Sequence, residues 1–333
     1  MADLTIGGKG TLVVHGRTAD GIATKDGLVI LGGTITVDAV DDGIRGKDYI
    51  DVHGGIVSIT AGQDGLKSTN ETDDTVGWIA VSAGSVTLTA GDDGIHAEGD
   101  LAIAGGTVTV AKSAEGIEGA NIAISGGIVS ITASDDGVNV SGGTSGQTQG
   151  GGGGGGMQDD GSLLGISGGT VIVNSSGDGL DSNGSTEITG GLIVVSGPSA
   201  NNNGALDSNG GINVTGGTLI AAGSSGMAES PDATSTQGWL AATLTQTVAA
   251  GKTISIVSGD TVIASYTTLR TVSSVVFTSS AIQKGQTYDI YVGGSLAGEA
   301  SGTYSAGGSI SGASKLSTVT AGVATRGGGM GRP

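Results

Sequence analysis

The chain has 333 residues, a formal net charge of −18, 69 glycines, 3 prolines and no cysteine. Without cysteine there is no disulfide framework, thiol nucleophile or cysteine metal site, and without abundant proline the glycine is not collagen-like. The acid excess argues against a nucleic-acid partner, which needs clustered Lys and Arg, and no apolar run of about 18 residues predicts a membrane-inserted helix. The opening "MADLTIGGKG" has neither the basic nor the apolar region of an export signal.

From the N-terminus onward, short runs such as "LVILGG", "IDVHGG", "LAIAGG", "IAISGG" and "LGISGG" alternate apolar and polar residues and end in glycine. A second alternating run follows each ("TITVDA", "IVSITA", "SVTLTA", "TVTVAK", "TVIVNS"), then an acidic turn and a third short segment. Period-two alternation is the mark of half-buried strands. Aligned on the turn glycine, the units fall at Gly21, Gly43, Gly65, Gly94, Gly116, Gly137, Gly179, Gly204 and Gly226. A base period of about 22 residues with insertions is a solenoid signature. The predicted fold is all-β: a right-handed parallel β-helix of nine or ten coils over residues 1–236, followed by a small C-terminal β domain. A leucine-rich repeat has a similar period, but its Leu and Asn spacing is missing.

Two insertions interrupt the period, at 68–78 and at 141–162. The second carries seven consecutive glycines without the Gly-Lys-Ser/Thr of a phosphate loop, and reads as a flexible surface loop. Past residue 236 the repeat stops. Five of the eight aromatics (Trp239, Tyr266, Phe277, Tyr288 and Tyr291) fall in 237–296, which predicts a small β domain with its own aromatic core, placed to cover the solenoid end. Residues 297–333 read as a Gly/Ser-rich tail, disordered at least in part.

In a β-helix, equivalent residues of successive coils stack. Asp42, Asp64, Asp93, Glu115, Asp136 and Asp178 form a predicted ladder, flanked by Asp41, Asp92 and Asp135. Carboxylates one rung apart, about 4.8 Å, repel by about 0.9 kcal/mol in water and about 3.5 kcal/mol at an effective dielectric of 20. Calcium, with six to eight oxygens at about 2.3–2.6 Å, can bridge such a pair, and Ca2+ is the expected cofactor. Asp-Gly turn chemistry alone is the competing explanation, better for one "DG" than for the doubled "DDG" at 41–43, 92–94 and 135–137. Three places after the turn acid stand Arg45, Lys67 and His96, and five places after stand Lys25 and Lys47. This basic stripe beside a metal row is a candidate cradle for an anionic polymer, against the alternative that each base simply pairs with a neighbouring acid. Asp181 and Asp207, stacked by the repeated "LDSNG", are a further candidate pair of ligands for an ion.

The segments "DLTIGGKGTLVVHG", "DGIATKDGLVILGGTITVDAVDDGIRGKDYIDVHGG", "GDGLDSNG", "AAGSSGMA" and "GQTYDIYVGG" resemble the secreted carbohydrate-binding right-handed β-helix family of clostridia and related bacteria. The resemblance covers most of residues 3–292. It implies calcium in the coils, binding of acidic plant polysaccharide of the polygalacturonate type, a secreted or cell-surface location, and a fold similar to family-nine pectate lyases. Carried over by position, the calcium acids are Asp41, Asp42, Asp64, Asp92, Asp93, Asp135 and Asp136. The sequence departs from the pattern at Gln63 and Ala114, where the first Asp of the doublet is missing, and at Glu115.

Three functions compete. The first is a non-catalytic, calcium-containing binder of acidic polysaccharide; exposed aromatics, the usual platforms for neutral sugars, are limited in the helix to Tyr49 and Trp78. The second is a calcium-dependent polysaccharide lyase with Lys67 as base and Arg45 as its runner-up, which requires a depressed Lys pKa. The third is a structural fibre or adhesin stalk.

Overall fold

The computed structural model describes residues 3–73, 75–142, 158–298 and 303–323. Most of the expected 141–162 loop, its polyglycine included, lies outside them, as do 299–302 and 324–333 of the expected tail. Among the described residues every regular element is a strand, so no helix is long and apolar enough to cross a membrane.

Three parallel sheets run along a solenoid. The first holds nine strands, from Leu4–Ile6 to Ile212–Val214, and the third holds eight, from Ile22–Thr24 to Leu206–Ser208. The second begins at Thr11–Gly16, and its ninth coil strand is Thr218–Gly223. Alternation decides which side chains enter: Ile35, Val37, Val57, Ile59, Val86 and Leu88 point inward and are buried, as are Leu28, Ile50 and Ile79 of the first sheet. Burying an aliphatic side chain is worth about 1.5–3 kcal/mol, so the stacked Ile, Val and Leu columns supply the drive that holds the coils in register.

The turn glycines between the second and third sheets explain the narrowness of that corner. A Cβ on Gly116 would lie 2.1 Å from the Gly137 carbonyl oxygen and 2.3 Å from Ile131 Cγ2, and Gly21, Gly43, Gly65, Gly94, Gly137 and Gly179 are similarly closed by the following coil. The register corrects one alignment. Leu180 pairs with Leu206 and Asp181 with Asp207, so Ala205, not Gly204, is the partner of Gly179. Among the described residues no third-sheet strand follows Leu206–Ser208. Gly116→Ala should therefore lower unfolding stability by about 3 kcal/mol through overpacking, whereas Gly10→Ala, with nothing near its Cβ, should leave it unchanged; urea midpoints of the two variants check this.

At the far end the solenoid sheet does not stop. Val272–Thr278 pairs antiparallel with Thr218–Gly223, and Trp239–Val248 pairs antiparallel with Val272–Thr278. A separate five-stranded antiparallel sheet follows, in the order Tyr304–Ala306, Thr261–Thr267, Thr253–Ser258, Thr287–Val292, Ser314–Thr320. Its core includes Tyr266, Phe277, Tyr288 and Tyr304. Trp239 instead packs into the solenoid core, and Tyr291 is half-buried. Two strands thus come from residues 303–323, which were expected to be tail. The outward column of the second sheet shows why this packing occurs where it does. It reads Thr36, Ser58, Thr87, Thr109 and Ser130 through the middle coils, then Ile172, Val194 and Ile220, and these last three pack in the C-terminal core.

Candidate functional site

The acidic turns form two columns. The inner one runs Asp20, Asp42, Asp64, Asp93, Glu115, Asp136, Asp178, each acid's backbone carbonyl accepting the N–H of the preceding coil's turn glycine from Asp42 onward. Asp20 belongs to it and was passed over, although "ADG" at 19–21 stands one period before "DDG". Part of the ladder is held by backbone: the Asp64 N–H donates to Asp42 Oδ1 at 3.3 Å, Asp93 N–H to Asp64 Oδ1 at 2.8 Å, Asp178 N–H to Asp136 Oδ1 at 2.5 Å and Gly204 N–H to Asp178 Oδ1 at 2.5 Å. An acidic side chain at this turn therefore has a structural use beyond shaping its own turn.

The outer column follows the backbone bonds Gln63 to Asp41, Asp92 to Gln63, Ala114 to Asp92, Asp135 to Ala114 and Gly177 to Asp135. Its members are Asp41, Gln63, Asp92, Ala114, Asp135, Gly177, so carboxylates never occupy adjacent rungs. Spacing them two rungs apart halves their pairwise repulsion. Gln63 and Ala114 are neutral spacers in this column. The exposed Asp41, Asp92 and Asp135 do not bridge to one another across a single rung.

The side chain three places beyond each inner acid occupies the outward middle position of the third sheet. The register stacks Ala23, Arg45, Lys67, His96, Glu118, Asn139, Asp181 and Asp207 in one column. This column divides the ladder in two.

In the early coils the bases are bound to the ladder. Arg45 reaches Asp20 Oδ2 at 2.6 Å and stands 3.9 Å from Asp42 Oδ2; Lys67 Nζ is 2.5 Å from Asp64 Oδ2; His96 Nδ1 is 2.8 Å from Asp93 Oδ2 and 3.3 Å from Glu118 Oε2. Burial works against the charged His96, but the hydrogen bond to Asp93 and the charges of Glu118, Asp93 and Asp64 outweigh it and push its pKa up to about 9. Lys67 behaves alike: burial lowers its pKa, but the hydrogen bond to Asp64 and the carboxylates of Asp64, Asp42 and Asp93 raise it overall. The lyase base proposed from sequence is thereby held as a cation, the opposite of what proton abstraction requires. Lys25 and Lys47 are exposed. Burial raises the pKa values of Asp42 and Asp92 from the ordinary Asp value, like charges adding to it and Lys67 opposing it.

In the later coils the column turns acidic. Burial first, then repulsion from neighbouring carboxylates, pushes Glu115 up to about 7, Asp136 and Asp178 to about 6 and Asp181 to about 8, and also raises Glu118. Glu115 is partly relieved by the Asn139 side-chain amide, whose Nδ2 donates to its Oε2 at 2.8 Å, and Asp136 and Asp178 by the backbone N–H groups of Asp178 and Gly204.

Four carboxylate-containing groups bring ligand atoms within 4.8 Å of one another: Asp20, Asp41 and Asp42; Asp64, Asp93 and His96; Asp93, Glu115 and Glu118; and Asp136, Asp178 and Asp181. Two oxygens on one calcium at about 2.4 Å each lie at most about 4.8 Å apart, so all four pass that test. The first three already contact Arg45, Lys67 or His96. Among the described residues, no Lys, Arg or His pairs with Asp136, Asp178 or Asp181. That triad fits a hard divalent cation best, and Asp181 was named in the sequence only as half of a possible extra site.

Residues 1–161, just under half of the chain, match the family model described as "Carbohydrate-binding domain-containing protein". With the β-solenoid that these residues build, the segment fits a carbohydrate-binding β-helix family, and the match supports carbohydrate binding in general. No curated protein and no solved structure gives a match.

Proposed function

We propose that the chain is a non-catalytic binder of acidic polysaccharide, of the polygalacturonate type, acting outside the cell or at its surface, with Ca2+ held by Asp136, Asp178 and Asp181. The observation that carries the reading is the convergence of these three carboxylates with no base among them. Calcium takes six to eight oxygens, and three carboxylates leave coordination positions for the carboxylates of a uronate chain. Without the ion this face would repel such a chain; with it the sign of the contact reverses. Lys25 and Lys47, exposed on the early coils, add a direct, salt-sensitive contact.

Polygalacturonate binding should therefore be tight in calcium, fall at least tenfold in chelator, and produce no unsaturated-product absorbance. Equal binding in calcium and chelator would remove calcium from the reading, and growing absorbance would restore the lyase.

A further inference from the structure

The first sheet carries a second feature, on a different face from the acidic ladder. Its outward middle column reads Asp51, Ala80, Ala102, Ala123, Gly165, Glu187. Four successive small residues between two acids make a shallow floor that runs along the solenoid axis, one rung of about 4.8 Å per residue. Beside it rises a wall formed by the neighbouring outward column and by the insertion at 68–78. Between this wall and Ala80 and Ala102 of the floor lies a cleft of about 400 Å³, and the floor continues past it to Ala123.

The wall is built around Trp78. Its ring stacks on Tyr49 with centroids 4.5 Å apart and planes 7° from parallel. Tyr49 in turn lies over Gly27, where a Cβ would come within 2.0 Å of the Tyr49 ring. Tyr49 is thereby wedged between glycine and indole, and it fixes the Trp78 plane from behind. Trp78 lines the cleft and Tyr49 does not. On the following rungs stand Asp100 and Asn121, joined by an Asn121 Nδ2 hydrogen bond to Asp100 Oδ1 at 2.9 Å, while Asn121 Oδ1 accepts the Leu163 N–H at 2.9 Å. The amide and the carboxylate are thus oriented before any ligand arrives.

A fixed aromatic face next to a carboxylate–amide pair suits a sugar. The indole removes the C–H face of a pyranose from water, and the Asp and Asn oxygens accept from adjacent hydroxyls at the ring edge. The cleft is lined by Glu71, Asp73, Glu98 and Asp100 but by no Lys, Arg or His, so an anionic sugar is repelled. All its lining residues fall within 1–161, the carbohydrate-binding match, whereas Asp178 and Asp181 lie beyond it.

We propose that the Trp78 cleft is a separate, calcium-independent binding site for a neutral polysaccharide chain laid along the Ala80–Ala102–Ala123 floor. The site stands whether or not the acidic ladder binds calcium. It revises the expectation that two aromatics are too few for neutral-sugar recognition, because the two are stacked into one platform.

The test is calorimetric titration of the full chain, in chelator, with cellohexaose, mannohexaose, xylohexaose and hexagalacturonate. At least one neutral hexaose should bind and perturb tryptophan fluorescence; the other tryptophan, Trp239, is buried in the core. Trp78→Ala should weaken that binding at least tenfold. Ala102→Arg, which fills the floor from an outward position, should do the same with an unchanged melting temperature, so that loss of binding is not loss of fold. Failure of all three neutral hexaoses to bind, or unchanged affinity in both variants, overturns the proposal. Calcium-dependent binding of polygalacturonate is measured separately, and its failure bears only on the acidic face.

Discussion

Replacing Lys67 with alanine should destabilise the chain by about 3 kcal/mol, the cost of leaving a buried carboxylate without its partner. Asp64 is 1% exposed, and its second oxygen lies 2.5 Å from Lys67 Nζ while its first accepts the Asp93 N–H. The hydrogen bond that remains after truncation is to a backbone N–H, which offsets part of the buried charge but supplies no counter-ion. Lys67→Arg should cost far less, since Arg45 occupies the same column one coil earlier and makes the same kind of contact. Chemical denaturation of the two variants separates charge loss from packing loss. Equal stability of Lys67→Ala and the parent would mean that something other than the basic column neutralises the early ladder.

A second large effect is a dependence of stability on pH that calcium should suppress. Glu115, Asp136, Asp178 and Asp181 have folded pKa values raised to about 7, 6, 6 and 8. A raised acid binds its proton more tightly when folded, so its contribution to stability is complete below the unfolded value of about 4 and is lost as pH climbs through the folded value. In chelator the melting temperature should therefore fall between pH 5 and pH 8. His96, raised from 6.5 to about 9, works in the same direction: its contribution is complete below about 6.5, falls once pH passes that unfolded value even though the folded ring stays charged, and is gone above about 9. Calcium binds the deprotonated carboxylates and should flatten the decline. Asp181→Asn removes one charge from the most repelled position, and in chelator at pH 8 should raise the melting temperature by roughly 5 °C while abolishing the calcium response. A variant that stabilises the chain without metal and loses the gain with it is hard to obtain from a merely structural aspartate.

Much of the architecture was legible because solenoid physics writes itself as a period. The 22-residue spacing, the alternating runs and the glycine turns each demand the same corner-and-rung geometry, and the stacked columns follow from them. The end of the solenoid is written in the sequence too: the outward residues of "TVIVNS", "LIVVS" and "TLIAAG" change from Thr and Ser to Ile and Val where the C-terminal core packs on them. Residues 303–323 were read as part of a tail on their Gly/Ser-rich composition, and the strands they form, "YSA" and "SKLSTVT", are short and polar. Their pairing with Thr261–Thr267 and Thr287–Val292 is long-range and leaves no local mark.

The site was legible in its residue types and less so in its assignments. A repeated acid followed by a base three residues on can signal a metal beside a cationic cradle, or an acid neutralised by that base; spacing alone does not separate them. In the early coils the base neutralises the acid, at Asp20, Asp42, Asp64 and Asp93. The informative change is Arg45, Lys67 and His96 giving way to Glu118, Asn139, Asp181 and Asp207, which moves the best cation site toward the later coils. The doublets misled for a related reason. "DDG" in every second unit reads as a defective repeat, but as a stack it is an alternation that keeps like charges apart.

The ladder has a self-neutralised section and an open section, and the proposed calcium belongs to the open one. Calorimetric titration of calcium at pH 7 into the parent, Asp181→Asn and the double variant Asp42→Asn/Asp92→Asn tests it most directly. Saturable binding to the parent should be lost in Asp181→Asn and retained in the double variant. Binding retained in Asp181→Asn and lost in the double variant, or no binding to the parent, would contradict it.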